Sequence, residues 1–141
     1  MLEVCEIVKI INDKKIVSNV SFKINYGEVF GLLGPNGAGK TSIFYIIAGL
    51  TKSNNGQIIF GDRNISSLPM HLRSNLGIKY LPQEPSIFQN LTVYENLYGL
   101  AELSFDNKRD IEIFIDHSME EFNLSKISDL KGRQLSGGQR R

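Results

Sequence analysis

Gly34-Pro35-Asn36-Gly37-Ala38-Gly39-Lys40-Thr41 is the stretch on which the reading of this 141-residue chain turns. Residues 28–33, Glu-Val-Phe-Gly-Leu-Leu, run into it as a short apolar segment suited to a strand buried on both faces. Residues 40–50 follow with helical spacing at Ile43, Ile46, Ile47 and Leu50. Strand, glycine-rich loop and helix in that order form a cradle for a nucleoside triphosphate. Such a ligand crowds several negative charges into a small volume, and backbone N–H groups bind it best where no side chain obstructs their approach. Gly34, Gly37 and Gly39 supply that open backbone. The following helix directs its free N–H groups and the positive end of its dipole at the phosphates. Lys40 is expected to reach the β- and γ-phosphates, and the Thr41 hydroxyl to ligate Mg2+. Pro35, Asn36, Ala38 and Ser42 complete the cradle, mainly through backbone. At average residue usage the pattern arises by chance in roughly one chain in a few hundred of this length.

Bulk composition narrows the rest. With 41% hydrophobic and 22% charged residues, the chain has the make-up of an ordinary folded domain. Its net charge of +1 gives no general pull toward nucleic acid, so none is expected as a partner. A single cysteine, Cys5, cannot form an internal disulfide and fits a reducing compartment. No stretch approaches the roughly 18 apolar residues of a membrane helix, and the N-terminus lacks the basic segment of a secretory signal. A cytoplasmic location is the expectation. Asn-x-Ser/Thr triplets at Asn19, Asn64, Asn90 and Asn123 carry no weight in an asparagine-rich chain.

Outward from the loop, Val17, Val20, Phe22 and Ile24 predict a half-exposed strand, and residues 57–60 and 78–81 two more. A short helix is predicted over 69–76, with Pro69 at its start and Gly77 at its end. Thr92-Val93-Tyr94-Glu95 is a capping box opening a helix through about Leu103. A further helix from Lys108 puts Ile111, Ile115, Met119 and Phe122 on one apolar face. The class is α/β with an N-terminal antiparallel component.

A second candidate anion site stands at Leu135-Ser136-Gly137-Gly138-Gln139-Arg140-Arg141. Ser136 would cap a helix, leaving the N–H groups of Gly137 and Gly138 open to a phosphate. Taken alone, Ser-Gly-Gly also reads as a flexible turn.

Together the two motifs resemble the ATP-binding subunits of ABC transporters. In that family the first loop is the Walker A motif and residues 135–139 are the signature motif. Tyr80-Leu81-Pro82-Gln83-Glu84-Pro85 is similar to the family's Q-loop. Residues 29–50, 64–71 and 77–96 resemble the ATPases of lipopolysaccharide-export transporters, with those of branched-chain amino-acid importers a near relative. The resemblance implies a P-loop NTPase of ABC type: an N-terminal antiparallel β component, an incomplete parallel core sheet and a helical subdomain. It implies a β-rich core over 1–83, a helical subdomain over 84–135 and the signature motif over 135–141. ATP and Mg2+ would be the cofactors, with Gln83 contacting the metal and the attacking water. Two copies would sit head to tail, so that Ser136, Gly137, Gly138 and Gln139 complete the partner copy's site. Transmembrane permease subunits would dock on residues 83–97, holding the ATPase at the cytoplasmic face of the inner membrane.

Two departures from the family pattern qualify this. The aromatic that stacks on adenine in the family aligns with Ile11, which has no π face. A buried strand ending in Asp-Glu, the Walker B motif with its general base, is not among these residues. Asp110, Glu112, Asp116, Glu120 and Glu121 all lie on polar faces of a helical stretch. A fragment of a longer ATPase, or a non-catalytic nucleotide-binding remnant, are both compatible with this. A DNA-repair ATPase is not, because the span from Gln83 to Leu135 holds no sustained heptads. A polypeptide of these 141 residues is expected to release phosphate from ATP no faster than background; turnover that Lys40→Ala abolishes would overturn this.

Overall fold

The computed structural model describes residues 1–84 and 86–140; Pro85 of the Q-loop-like motif and Arg141 after the signature motif lie outside the described residues. The chain divides into two compact units, Met1–Leu81 and Pro82–Arg141.

In the first unit, β1 (Leu2–Ile11) and β2 (Lys14–Ile24) form an antiparallel hairpin. Its turn, Asn12-Asp13, holds both residues at positive φ (47° and 60°), as a tight two-residue hairpin turn requires. β3 (Asn55–Phe60) pairs with the other edge of β1, and β4 (Arg63–Asn64) with β3, giving the order β2-β1-β3-β4. Glu6, at φ 50°, is an extra residue in β1: Val4 faces Phe22 and Ile7 faces Val20, three steps on one strand against two on the other. The bulge breaks strict alternation yet lets both Val4 and Ile7 point into the core. Helix α1 (Lys40–Ala48) joins that core with Ile43 and Ile46, packed with Val17, Ile58 and Ile65. It ends two residues before Leu50, which is half exposed instead of lying on the buried face.

A buried cation fixes the far end of α1. Arg73, on the short helix α2 (Met70–Asn75), is 2% exposed. Its Nη1 donates to the carbonyls of Ile46 (2.6 Å) and Ile47 (2.8 Å) in the last turn of α1. Nη2 donates to Ser66 (3.0 Å), and Nε to Leu68 (2.8 Å). Gly49, the C-cap at φ 83°, leaves the space: a Cβ there would stand 2.9 Å from Arg73 Nε. Burial pushes the guanidinium pKa down, but a group titrating so far above neutrality stays charged.

Two segments expected as core strands, 28–33 and 78–81, pair with nothing among the described residues. A strand needs a neighbour to take its N–H and C=O groups, and every described strand pairing is antiparallel. Val29 and Leu33 are consequently 99% and 93% exposed, while Phe30 is anchored by stacking on Phe22 at 4.8 Å. Tyr80, in the second segment, meets Tyr45 of α1 edge-on at 6.0 Å.

The second unit is helical. α3 (Val93–Glu102) and α4 (Lys108–Glu121) enclose Val93, Ala101, Ile111, Ile115, Met119 and Leu135. Phe122, expected on the apolar face of α4, follows the last helical residue and is 65% exposed, because the backbone leaves the helix there (φ −98°, ψ 7°). α3 opens on a complete capping box: Thr92 Oγ1 accepts the Glu95 N–H (3.1 Å), and Glu95 Oε2 accepts the Thr92 N–H (2.7 Å).

Arg73→Ala takes the guanidinium donors from four carbonyls, of which that of Ile46 also accepts the Gly49 N–H. It is expected to cost about 3 kcal/mol or more, read from denaturant midpoints, with Arg73→Lys recovering only part because an ammonium cannot span the fork. The bond from the Thr92 N–H holds the Glu95 carboxyl below the usual glutamate range. A depressed folded-state pKa supplies stability above the unfolded pKa that is lost as pH falls through the folded one. Protection of the first-turn amides of α3, taken relative to the intrinsic exchange rate at each pH, should therefore fall as pH drops below the ordinary glutamate range, and Glu95→Gln should flatten that dependence.

Candidate functional site

The phosphate loop is held by what its glycines permit. Gly39 is the N-cap of α1 at φ 86°, and a Cβ on it would lie 2.5 Å from the Ile16 carbonyl oxygen and 3.3 Å from Val17 Cγ2. Both the backbone angle and the space exclude a side chain, so the loop seats its last glycine directly against β2. A turn closes through the Ala38 N–H to the Pro35 carbonyl (3.2 Å). Lys40 folds back, its Nζ donating to the carbonyls of Gly34 (2.6 Å) and Pro35 (2.7 Å).

The electrostatics follow from the same residues. No side chain caps α1, and no acid occupies its first turn. Unneutralised N–H groups, the positive helix end and the Lys40 ammonium thus converge on a loop without a carboxylate. Gly34, Pro35, Asn36, Gly37, Ala38 and Thr41 are exposed, so backbone and the Thr41 hydroxyl are open to a ligand. This donor set fits a polyphosphate, and an exposed hydroxyl beside it fits a hard cation that is held chiefly by the phosphates. Among the described residues, no cluster of three or more His, Cys, Asp or Glu offers an alternative metal cage. Ile11 ends β1 opposite Lys14 and is 46% exposed.

Residues 135–140 make a compact turn in the second unit. The Ser136 N–H donates to Gln139 Oε1 (2.9 Å), and Ser136 Oγ accepts the Gln139 N–H (3.3 Å), the reciprocal pattern of a capping box. The Arg140 N–H reaches the Ser136 carbonyl at 3.1 Å, one helical turn along. Arg140 Nε donates to the carbonyl of Leu135 (2.9 Å), whose side chain is buried. Gly137 and Gly138 are exposed, with no atom within 4 Å of where a Cβ would stand.

The structure therefore gathers Gly34 to Ser42 into one loop and the first turn of α1 in the first unit, and Ser136 to Gln139 into one turn of the second. Gln83 is exposed and belongs to the second unit. The same unit carries a groove of about 750 Å3 lined by Ile87, Phe88, Leu97, Leu100, Phe122 and Ile127, among others. Sequence reasoning missed Arg73 and Gly132 and gave no individual role to Asn96 or Arg140, because all four act through backbone carbonyls or close packing, which leave no periodic signal.

Comparison with known proteins bears on the same features. The family model described as "ABC transporter" matches residues 17–141. The lipopolysaccharide export system ATP-binding protein LptB of Haemophilus influenzae is 50% identical over 129 residues, covering 91% of this chain and 54% of that protein. LptB of Escherichia coli K12 is 46% identical over the same shares. A nucleotide-free ATP-binding cassette from an ABC transporter superposes with a TM-score of 0.82 at 28% identity, over 99% of this chain and 60% of that one. A dimeric cassette in a post-hydrolysis state bound to ADP and Pi, 22% identical with a TM-score of 0.81, shares the fold over 99% of this chain and 65% of its own. This chain spans about half the length of the curated relatives it matches. With the family model covering nearly all of it, the chain belongs to the ABC transporter family and carries the fold of its ATP-binding cassettes.

Proposed function

We propose that this chain binds ATP with Mg2+ as part of the ATPase subunit of an ABC transporter, and that the transporter exports lipopolysaccharide. The observation that carries nucleotide binding is the uncapped, glycine-terminated start of α1 with Lys40 folded over the loop. The transported substrate rests on the identity to lipopolysaccharide export ATPases from two organisms.

In this reading Lys40 exchanges its two carbonyl partners for the β- and γ-phosphate oxygens. The loop's N–H groups take the remaining phosphate contacts, and the Thr41 hydroxyl ligates the metal. Held by Thr41 and Gln83, Mg2+ would supply charge neutralisation at the phosphates. Gln83 would orient toward the metal and the attacking water. The turn at Ser136, with its two open glycines, would meet the nucleotide of a second copy head to tail. Residues 84–135 would act as the helical subdomain, and 83–97 would receive a transmembrane permease subunit at the cytoplasmic face of the inner membrane. Exposed Phe88 and the apolar groove beside it support that docking surface.

A charge-assisted bond from an ammonium to phosphate contributes roughly 1.5–3 kcal/mol. Lys40→Ala should therefore weaken ATP binding by roughly tenfold to a hundredfold in equilibrium titrations, while the melting midpoint stays near that of the wild type. An unchanged affinity would overturn the assignment of the loop.

A further inference from the structure

We propose that Asn96 is a positioning residue that locks residues 88–92 to the backbone leading into the Ser136 turn, so that the two segments move as one body. The functional meaning rests on the reading above, in which 83–97 docks a partner and Ser136 to Gln139 meet nucleotide.

Asn96 sits in the first turns of α3, partly buried. Its Oδ1 accepts the Phe88 N–H at 2.8 Å. Its Nδ2 lies 3.0 Å from the Phe88 carbonyl, 3.3 Å from that of Leu91 and 2.8 Å from that of Thr92. One side chain thus ties down both ends of the loop, adding to the backbone bonds that its residues make with one another and with residues 132 and 133. Only a neutral amide of this length supplies an acceptor and two donors at once, the two N–H groups being shared among three carbonyls: alanine supplies none, and a carboxylate would set negative charge against those carbonyls.

The opposite side of that loop is seamed to residues 128–133. The Arg133 N–H donates to the Gln89 carbonyl (2.9 Å), the Gly132 N–H to the Leu91 carbonyl (2.9 Å), and the Val93 N–H to the Leu130 carbonyl (3.0 Å). Leu91 oxygen is therefore shared, one bond to the Asn96 amide and one to Gly132. Packing at this junction is tight, for a Cβ on Gly132 would come within 3.0 Å of both the Phe88 oxygen and Ile87 Cδ1. Beyond it, the Arg140 guanidinium spans the Leu135 carbonyl (2.9 Å) and that of Arg133 (3.4 Å), closing the path onto the Ser136 turn. Phe88 meanwhile remains 66% exposed on a backbone held from both sides. A partner seated on Phe88 would push on a rigid block that ends at Ser136, a contiguous hydrogen-bonded path of the kind that carries coupling.

Hydrogen exchange of the whole chain tests this. Asn96→Ala should speed exchange at Gly132 and Arg133 at least tenfold, though neither touches residue 96, while amides of α4 keep their protection. In Asn96→Asp, protection should return as the new carboxyl is protonated at acid pH, since the neutral acid can donate again; simple loss of helix stability would show no such recovery. Paired with Gly132→Ala, Asn96→Ala should be non-additive in a double-mutant cycle. Wild-type exchange at Gly132 and Arg133 in Asn96→Ala, or strict additivity with Gly132→Ala, overturns the proposal. Phe88→Glu tests the docking reading separately: if it leaves assembly with membrane subunits intact, that reading fails while the exchange result still decides the lock.

Discussion

The guanidinium of Arg73 among four carbonyl oxygens is the interaction on which the first unit depends. Taking a cation out of water is costly, and no carboxylate compensates it here. Instead the charge sits at the negative end of α1, where the dipole and two carbonyls of the last turn, Ile46 and Ile47, favour a cation. The other two bonds tie the stretch after β4 to α2. Because the N-terminus of the same helix carries the glycine loop, the aim of that loop is set from both ends: Gly39 against β2 in front, Arg73 behind. An apolar face alone would leave α1 free to slide along the sheet. The two polar fixtures remove that freedom.

The second unit solves the same problem differently. Its apolar core is small, and much of its definition comes from backbone seams and short polar side chains at Thr92, Asn96, Asn107 and Ser136. Such contacts are directional, so they specify a shape with little buried area. They also place the loop carrying Phe88 and the turn carrying Gly137 and Gly138 in one framework.

What was legible in the sequence is what repeats or is local. The glycine loop, the capping box at Thr92 and the Pro69 start of α2 each announce themselves within a few residues, and the structure has all three. β1 escaped notice because the bulge at Glu6 puts two core residues three apart, which defeats a search for period two. Residues 28–33 were legible as an apolar strand whose expected parallel neighbours are not among these residues, and among the described residues they pair with nothing. Phe122 obeyed helical spacing to a point one residue past the helix. Arg73 was illegible for a deeper reason: a charged residue on a short exposed-looking helix gives no hint that the carbonyls of Ile46 and Ile47, 27 and 26 residues away, await it. In the candidate site, the donors of the loop were readable, whereas the packing of Gly39 on Ile16 was not.

The fold of Lys40 onto Gly34 and Pro35 gives ligand entry the character of an exchange, not of filling a vacancy. The ammonium already has two good acceptors, so an incoming anion gains only the difference between its own contacts and those it displaces. A small monovalent anion, offering one contact at a time, gains little. Under the proposed function, a chain of linked phosphates would engage the lysine and the loop's N–H groups together and exceed that threshold. The loop would thereby grade anions by how many contacts they make at once, through two carbonyl oxygens of its own backbone.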